Sequence, residues 1–254
     1  SYKDNTTKVV ENGYVLSEKG TYRLTATDYA DHTTTIWVTI DKTKPQATKV
    51  QVVNNTRPDS TYIKNGETVR VRAVFDEKLK TNPVLTMGDY QTTFEKISGG
   101  NGEVIYTADI KIDENESILA EGELTFTITG YKDYAGNEGD VVTENSVKSN
   151  LIYDRTLPTA TLTYSTTDYI NGNVLVTLTA SEEVKLIDDT SWDIKEGYAT
   201  VYKKAYPMNV DQTITFEDKA GNRGTVHLVI NNIDKTKPVF EDPQKTMESD
   251  VTIN

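Results

Sequence analysis

The strongest constraint on this chain is an internal repeat, because the same short motifs recur in the same order. Asp41-Lys-Thr-Lys-Pro45 returns unchanged as Asp234-Lys-Thr-Lys-Pro238, and the related Asp154-Arg-Thr-Leu-Pro158 lies between them. An Asp-x-Ala-Gly-Asn motif precedes the second and third of these, beginning at Asp133 and at Asp218. Ordered repeats of this kind indicate several similar units rather than one large domain.

The proline of each junction motif predicts where one unit ends and the next begins. Residues 1–44 then hold the C-terminal half of a unit, residues 45–157 a long complete unit, residues 158–237 a shorter complete unit, and residues 238–254 the start of another. Half a unit leaves an apolar face open, so we expect residues 1–44 to pack against a neighbouring domain or to exchange strands with a second chain.

Period-two alternation within the units predicts antiparallel strands with one buried face. Val69, Val71 and Ala73 alternate with Arg70 and Arg72, and similar stretches occur throughout the chain. Asn-Gly and Gly-rich breaks between these stretches supply the positive-φ residues that strand connections need. Some seven short strands per unit without a helical period predict an all-β fold of β-sandwich domains.

Three features together resemble the bacterial immunoglobulin-like repeat domains of exported surface proteins and adhesins. They are the Gly-x-Tyr-x-Leu-x-x-x-Asp pattern from Gly20 to Asp28, the Asp-x-Ala-Gly-Asn turns and the Asp-x-Thr-x-Pro junctions. The resemblance implies tandem immunoglobulin-like β-sandwich domains joined by short proline-containing linkers. The first turn departs from the pattern, since Asp31 and His32 replace Gly and Asn, and this leaves its geometry open.

Charge and composition limit the partners and chemistry we expect. The net charge of −12 argues against nucleic acid and anionic membranes as partners, because both require a basic face. There is no cysteine and only two histidines, so thiolate chemistry is excluded and a histidine-rich centre is not expected. No apolar run is long enough to insert into a membrane. Together with the resemblance, these features lead us to expect a non-enzymatic protein that is extracellular or attached to a bacterial cell wall.

The strand order implied by the resemblance brings carboxylates to the end of each sandwich, beside the linker from the preceding domain. Such clusters would suit Ca²⁺, which takes six to eight oxygen ligands. At the first junction the predicted ligands are Asp41, Asp76, Glu77 and Asp133. At the second junction they are Asp154, Glu182, Glu183 and Asp218.

A structural interpretation of the same residues stands beside the Ca²⁺ hypothesis. Asp28 and Asp218 have inward parity on their strands, so each carboxylate could accept backbone N–H bonds and hold its turn. The Asp-x-Thr-x-Pro segments could then be stiff linkers and nothing more, because proline restricts the residue before it.

The function implied by the resemblance is that of a stalk or spacer that presents a distal functional head. Two other functions remain open at this point. One is an adhesin module that binds a host surface protein or glycan, for which an exposed aromatic residue such as Trp37 is the expected sign. The other is an accessory module of a secreted carbohydrate-active enzyme.

Overall fold

The chain folds entirely as β-structure in a computed structural model. The structure describes residues 7–98, 103–114, 119–144, 146, 151–188, 191–194 and 197–239. Nineteen strands and no helix occur among these residues, which confirms the predicted all-β class. Within the same ranges, no helix has the length and hydropathy that crossing a membrane requires.

The chain divides into two compact units, residues 1–155 and residues 156–254. The first unit begins with a hairpin of β1 (Gly20–Thr27) and β2 (Thr33–Ile40). The strands that follow are β3 (Ala47–Asn54), β4 (Tyr62–Ile63), β5 (Thr68–Phe75), β6 (Leu79–Thr81), β7 (Val84–Met87), β8 (Tyr90–Thr93), β9 (Glu95–Ser98), β10 (Val104–Lys111), β11 (Gly122–Glu123), β12 (Thr127–Thr129), β13 (Lys132–Asp133) and β14 (Ile152–Tyr153).

The main sheet of the first unit has the order β3-β5-β10-β9, with every pair antiparallel. Shorter sheets, β11-β14-β4, β12-β7-β8 and β13-β6, complete the β-structure that follows the hairpin in this unit. Apolar side chains from these sheets form one core, in which Phe75 packs edge-on against Tyr106 and Tyr131. The period-two burial of β5 and β10 follows the predicted alternation, since successive side chains point to opposite faces of a sheet.

The β1–β2 hairpin forms a separate two-stranded sheet within the first unit. Its solvent face carries cross-strand threonine pairs, and the hydroxyls of Thr21 and Thr39 lie 3.1 Å apart, as do those of Thr25 and Thr35. Such pairs stabilise a hairpin by less than about 1 kcal/mol each. Most of the side chains on both strands are exposed.

The second unit is built around one long strand that takes part in two sheets. Its strands are β15 (Ala160–Tyr164), β16 (Val174–Leu186), β17 (Ala199–Tyr206), β18 (Val210–Glu217) and β19 (Arg223–Ile230). The first part of β16 pairs with β15 and β17, and its last two residues pair with β18. The register of β16 against β17 shifts between Thr179 and Val184, and a bulge of this kind lets a strand pass from one sheet to the next.

The core of the second unit forms where these two sheets face each other. Trp192 is fully buried there and packs edge-on against Tyr206, with the ring centroids 6.3 Å apart. Trp192 is therefore part of the core of this unit. Trp37, in contrast, is 65% exposed on the solvent face of β2.

We expect Gly224→Ala to destabilise the second unit by about 1–3 kcal/mol, the usual range for overpacking. An added Cβ would lie 2.1 Å from the carbonyl oxygen of Pro158 and 2.5 Å from the Phe216 ring. Urea denaturation monitored by the fluorescence of the buried Trp192 reports on this unit. Gly172→Ala is the matched control, since its Cβ would lie 3.5 Å from Ile170, an ordinary contact. Equal midpoints for the two variants would contradict the packing described here.

Candidate metal centre

An aspartate fixes the turn before β19 with three hydrogen bonds to one residue. Asp218 donates its N–H to the carbonyl of Asn222 at 3.0 Å. Its Oδ1 accepts the backbone N–H of Asn222, and its Oδ2 accepts the side-chain Nδ2 of the same residue, both at 2.9 Å. Gly221 lies between them with φ of 82°, a left-handed conformation that glycine adopts without strain.

The same turn occurs twice more in the first unit. Asp133 makes the three equivalent bonds with Asn137, at 3.1, 2.8 and 2.8 Å. Asp28 makes them with His32, whose ring Nδ1 replaces the amide nitrogen at 2.9 Å from Oδ2. Asp31 adopts φ of 62° at the glycine position. The first turn therefore keeps the common geometry despite its different sequence, and all three aspartates have the structural role that the sequence allows.

Hydrogen bonds keep the buried aspartate of the second turn ionised. Burial of Asp133 acts to raise its pKa, but the side chain and backbone of Asn137 and the amides of Gly136 and Ala135 donate to the carboxylate. These donors outweigh the burial, so the pKa lies below its ordinary value. Asp133 therefore brings a negative charge into the end of the first unit at neutral pH.

Three of the predicted ligands at the first junction converge around this charge. Asp41 follows β2, Glu77 lies between β5 and β6, and Asp133 is in β13. One carboxylate oxygen from each lies within 4.8 Å of the other two. The turn also binds the linker directly, because Nδ2 of Asn137 donates to the carbonyl of Asp41 at 3.1 Å.

Burial and the crowding of like charges both raise the pKa of Glu77. Burial is the largest cause of this rise, and the negative charges of Asp133, Asp76 and Asp41 raise the pKa further. Lys19 opposes the shift, and its Nζ lies 3.8 Å from Oδ1 of Asp41 and contacts the hydroxyl of Thr43. Within the part of the chain that the structure describes, Lys19 is the ammonium group that acts on these three carboxylates, and one positive charge leaves the cluster negative.

Asp76 does not belong to this group, although its charge acts on Glu77. Its Oδ1 accepts the N–H of Gln46 at 2.8 Å, and its own N–H donates to the carbonyl of Gln46 at 3.1 Å. In the second unit, Ser181 makes the same two bonds with Thr159, at 3.0 and 2.8 Å. Ser181 is therefore the counterpart of Asp76.

Because Ser181 corresponds to Asp76, the next residue, Glu182, corresponds to Glu77. Glu183 is one residue beyond that position. Glu183 instead forms an ion pair with Lys219. Both glutamates lie within the continuous strand β16, whereas the strand order that the resemblance implies would place them in a loop between two strands. The strand continues because the bulge in β16 accommodates the acidic pair.

The predicted ligands of the second junction are divided between the two units. Asp154 is in the first unit, where its N–H donates to the carbonyl of Ile63 at 3.0 Å. Glu182 and Asp218 are in the second unit, half-buried and buried respectively. The sequence interpretation missed the residues that support the first cluster, namely Asn137, Thr43 and Lys19. The asparagine was visible as part of the repeated motif, but no sequence signal indicates the lysine.

The oxygen atoms of the first cluster determine which metal ion it could bind. Three carboxylates that present only oxygen suit a hard divalent cation. Asp41 is held in place because its Oδ1 accepts the N–H of Thr43 at 2.9 Å and the Thr43 hydroxyl at 2.8 Å. Bidentate carboxylates and waters would have to complete the six to eight oxygens of a Ca²⁺ ion. No protein-family model matches the chain, and no curated protein matches it either.

We expect Glu77→Gln to stabilise the protein at neutral pH in EDTA. The raised pKa means that the folded state disfavours the ionised carboxyl, so stability falls as pH rises from the ordinary value of 4.5 through the folded pKa. Glutamine removes this penalty, and calorimetry should show a rise of about 1–2 °C at pH 7. The gain should disappear near pH 4, where the wild-type carboxyl is protonated in both states.

The control for this prediction is Glu95→Gln, which removes the same charge from an exposed position in β9. Its midpoint should stay at the wild-type value at both pH values. A Glu77→Gln variant less stable than the wild type in EDTA would mean that the carboxylates do not repel one another as described.

Proposed function

We propose that this chain is a non-enzymatic stalk or spacer region of a bacterial cell-surface protein, composed of tandem immunoglobulin-like domains that present a distal functional head. The observation that carries the proposal is the threefold recurrence of one turn with the same hydrogen bonds, headed by Asp28, Asp133 and Asp218. Each turn is followed along the chain by an Asp-x-Thr-x-Pro linker. A chain that repeats one unit and one linker becomes longer without adding a new kind of binding site, as a spacer requires.

The linkers have features that favour a stiff joint. In the linker at residues 41–45, Thr43 donates its N–H to Oδ1 of Asp41 at 2.9 Å. In the linker at residues 234–238, Thr236 makes the same bond to Asp234 at 2.8 Å. A side chain that bonds the backbone two residues ahead holds a tight local turn, and the following proline restricts the chain further. Short, ordered linkers transmit direction better than flexible ones.

Binding of Ca²⁺ at the first cluster would add to this stiffness. Asp41 belongs to the linker, whereas Glu77 and Asp133 belong to the strands and turns that follow it. A cation bound by all three carboxylates would therefore hold the β1–β2 hairpin and the following β-structure together. It would also relieve the repulsion that raises the pKa of Glu77.

An adhesin module is the second candidate function, and Trp37 is the observation that favours it. Its indole is 65% exposed in the middle of the solvent face of the hairpin, opposite Arg23. Aromatic rings exposed in this way can stack on sugars or on a protein partner. Binding to a glycan array that is saturable in the wild type and lost in Trp37→Ala would favour this function over that of a pure spacer.

If the two complete units act as separate mechanical modules, stretching a single molecule should produce two discrete unfolding events. At about 3.6 Å per extended residue, residues 45–157 correspond to about 41 nm of extended chain and residues 158–237 to about 29 nm, and each event should release this length less the end-to-end distance of the folded unit. Force spectroscopy with handles at both termini measures these lengths. One event with the combined length, or gradual extension without events, would argue against independent modules.

We expect millimolar Ca²⁺ to raise the midpoint of the first unit by about 5 °C relative to EDTA, since a ligand that binds only the native state stabilises it by mass action. In Glu77→Gln most of this gain should be lost, although the variant is the more stable protein in EDTA. Glu95→Gln should retain the full gain. Identical calorimetric transitions in Ca²⁺ and EDTA would reject metal binding and leave the carboxylates with the turn and linker roles alone, without affecting the spacer proposal.

A further inference from the structure

The solvent face of the β1–β2 hairpin is composed almost entirely of threonine. Of the eight side chains that share this face, all are exposed and six are threonines, namely Thr21, Thr25, Thr27, Thr33, Thr35 and Thr39. The other two are Arg23 and Trp37, which pair directly across the strands. Their Cβ atoms are therefore about 5 Å apart, and a threonine pair lies on either side of them.

Arg23 differs from every other arginine of the chain. The sequence contains six arginines. Five of them form an ion pair with a carboxylate, namely Arg57, Arg70, Arg72, Arg155 and Arg223. Arg23 forms none with any residue that the structure describes. In a chain with a net charge of −12, this leaves its guanidinium available to an anion from another molecule.

The indole beside this guanidinium is available as well. In the described ranges, the cation–π contacts are those of Lys8 with Tyr14 and of Lys204 with Tyr206. Arg23 therefore does not lie over the ring of Trp37, and both groups can contact a ligand. Tryptophan and arginine are residue types that often contribute most of the binding energy at an interface.

The second unit shows that this face stays exposed when a hairpin of the same kind has a second layer. Strands β18 and β19 have the same register as β1 and β2, and the counterparts of the pair are Thr213 and His227, both exposed. The core of the second unit lies on the other face of that hairpin. In the first hairpin, Tyr22 is on the corresponding face and is 6% exposed. Packing against that face therefore leaves Arg23 and Trp37 accessible.

The charge around the hairpin permits an anionic ligand. Residues 1–44 contain six basic and six acidic side chains, so residues 45–254 carry the whole net charge of −12. Repulsion of an anion by the acidic surface is therefore weakest at the hairpin, within the limits of electrostatic screening.

The side chains of this face match a sugar that carries a carboxylate. The planar guanidinium of Arg23 suits bidentate binding of a carboxylate, and the indole of Trp37 suits the apolar face of a sugar ring. The threonine hydroxyls can donate to and accept from sugar hydroxyls. A flat face of this kind suits a sugar better than a peptide, which usually binds at a sheet edge or in a groove.

We propose that Arg23 and Trp37 form a binding site for a carboxylated sugar residue, either a uronic acid or a sialic acid. Trp37 stacks on the ring and Arg23 binds the carboxylate. The proposal rests on the second candidate function, that of an adhesin module, and names the class of glycan that such a module would bind.

Isothermal titration calorimetry of the full chain with matched ligands tests this proposal. Tetragalacturonate should bind at least about tenfold more tightly than its methyl ester, which keeps the rings and removes the charges. The same comparison of 3′-sialyllactose with lactose distinguishes the two sources of the carboxylate. Binding of the acid, but not of the ester, should weaken as NaCl is raised. The fluorescence of Trp37 should respond to binding, since Trp192 is fully buried.

Variants separate the two contacts. Arg23→Gln should weaken binding of the acid about tenfold and leave the ester within about twofold of the wild type. Arg23→Lys keeps the charge but loses the planar fork, so it should retain only part of the preference for the acid. Trp37→Ala should lose both ligands. Arg223→Gln, which removes the same charge from the solvent face of β18–β19, is the matched control and should bind as the wild type does. Unchanged far-UV circular dichroism shows that each variant is folded.

Several results would overturn the proposal. Equal affinity of the wild type for the acid and the ester would mean that Arg23 does not bind the carboxylate, and a neutral glycan would remain for an adhesin module. Equal losses in Arg23→Gln and Arg223→Gln would assign binding to net charge. Tighter binding of tetraglutamate than of tetragalacturonate would assign the face to an acidic peptide. If none of the sugars binds, the adhesin function fails together with this proposal, and the spacer function is unaffected.

Discussion

The rest of the structure depends on one interaction: the hydrogen bonds by which a turn satisfies the carboxylate of its own aspartate. Asp218 is 1% exposed, and Asn222 satisfies both of its oxygens. Burying such a charge without donors would cost several kcal/mol, so the turn can close only in the one conformation that presents them. That conformation sets the register of the strands on either side, and the register decides which side chains enter the core.

Much of the fold was accessible from the sequence because short-range patterns determine it. Alternation identified the buried faces of strands such as β5, and the repeated motifs located the turns, as expected where local and tertiary preferences agree. The acidic pair of the second unit was harder to place. The strand order that the resemblance implies places Glu182 and Glu183 in a loop, but β16 runs through both residues because its bulge absorbs the change of register.

The first carboxylate cluster was predictable in part, because short-range sequence patterns mark some of its members. Asp41 and Asp133 belong to repeated motifs whose spacing is visible, and Glu77 follows an alternating strand. Asp76 was grouped with them because adjacent residues cannot be separated by position alone, and only its bond to Gln46 shows that it closes the strand pairing instead. Lys19 comes from a loop without any motif, so its contact with Asp41 depends on the three-dimensional path of the chain.

The turn headed by Asp28 shows how far the sequence of this element can change while its geometry is kept. A histidine nitrogen replaces the amide donor of asparagine, and an aspartate adopts the left-handed conformation of glycine. A search pattern written as Asp-x-Ala-Gly-Asn would pass over this copy. Counts of repeats in long chains of this type will therefore be too low when they rely on that pattern. A more sensitive pattern would require only the acceptor aspartate and any side-chain N–H donor four residues later.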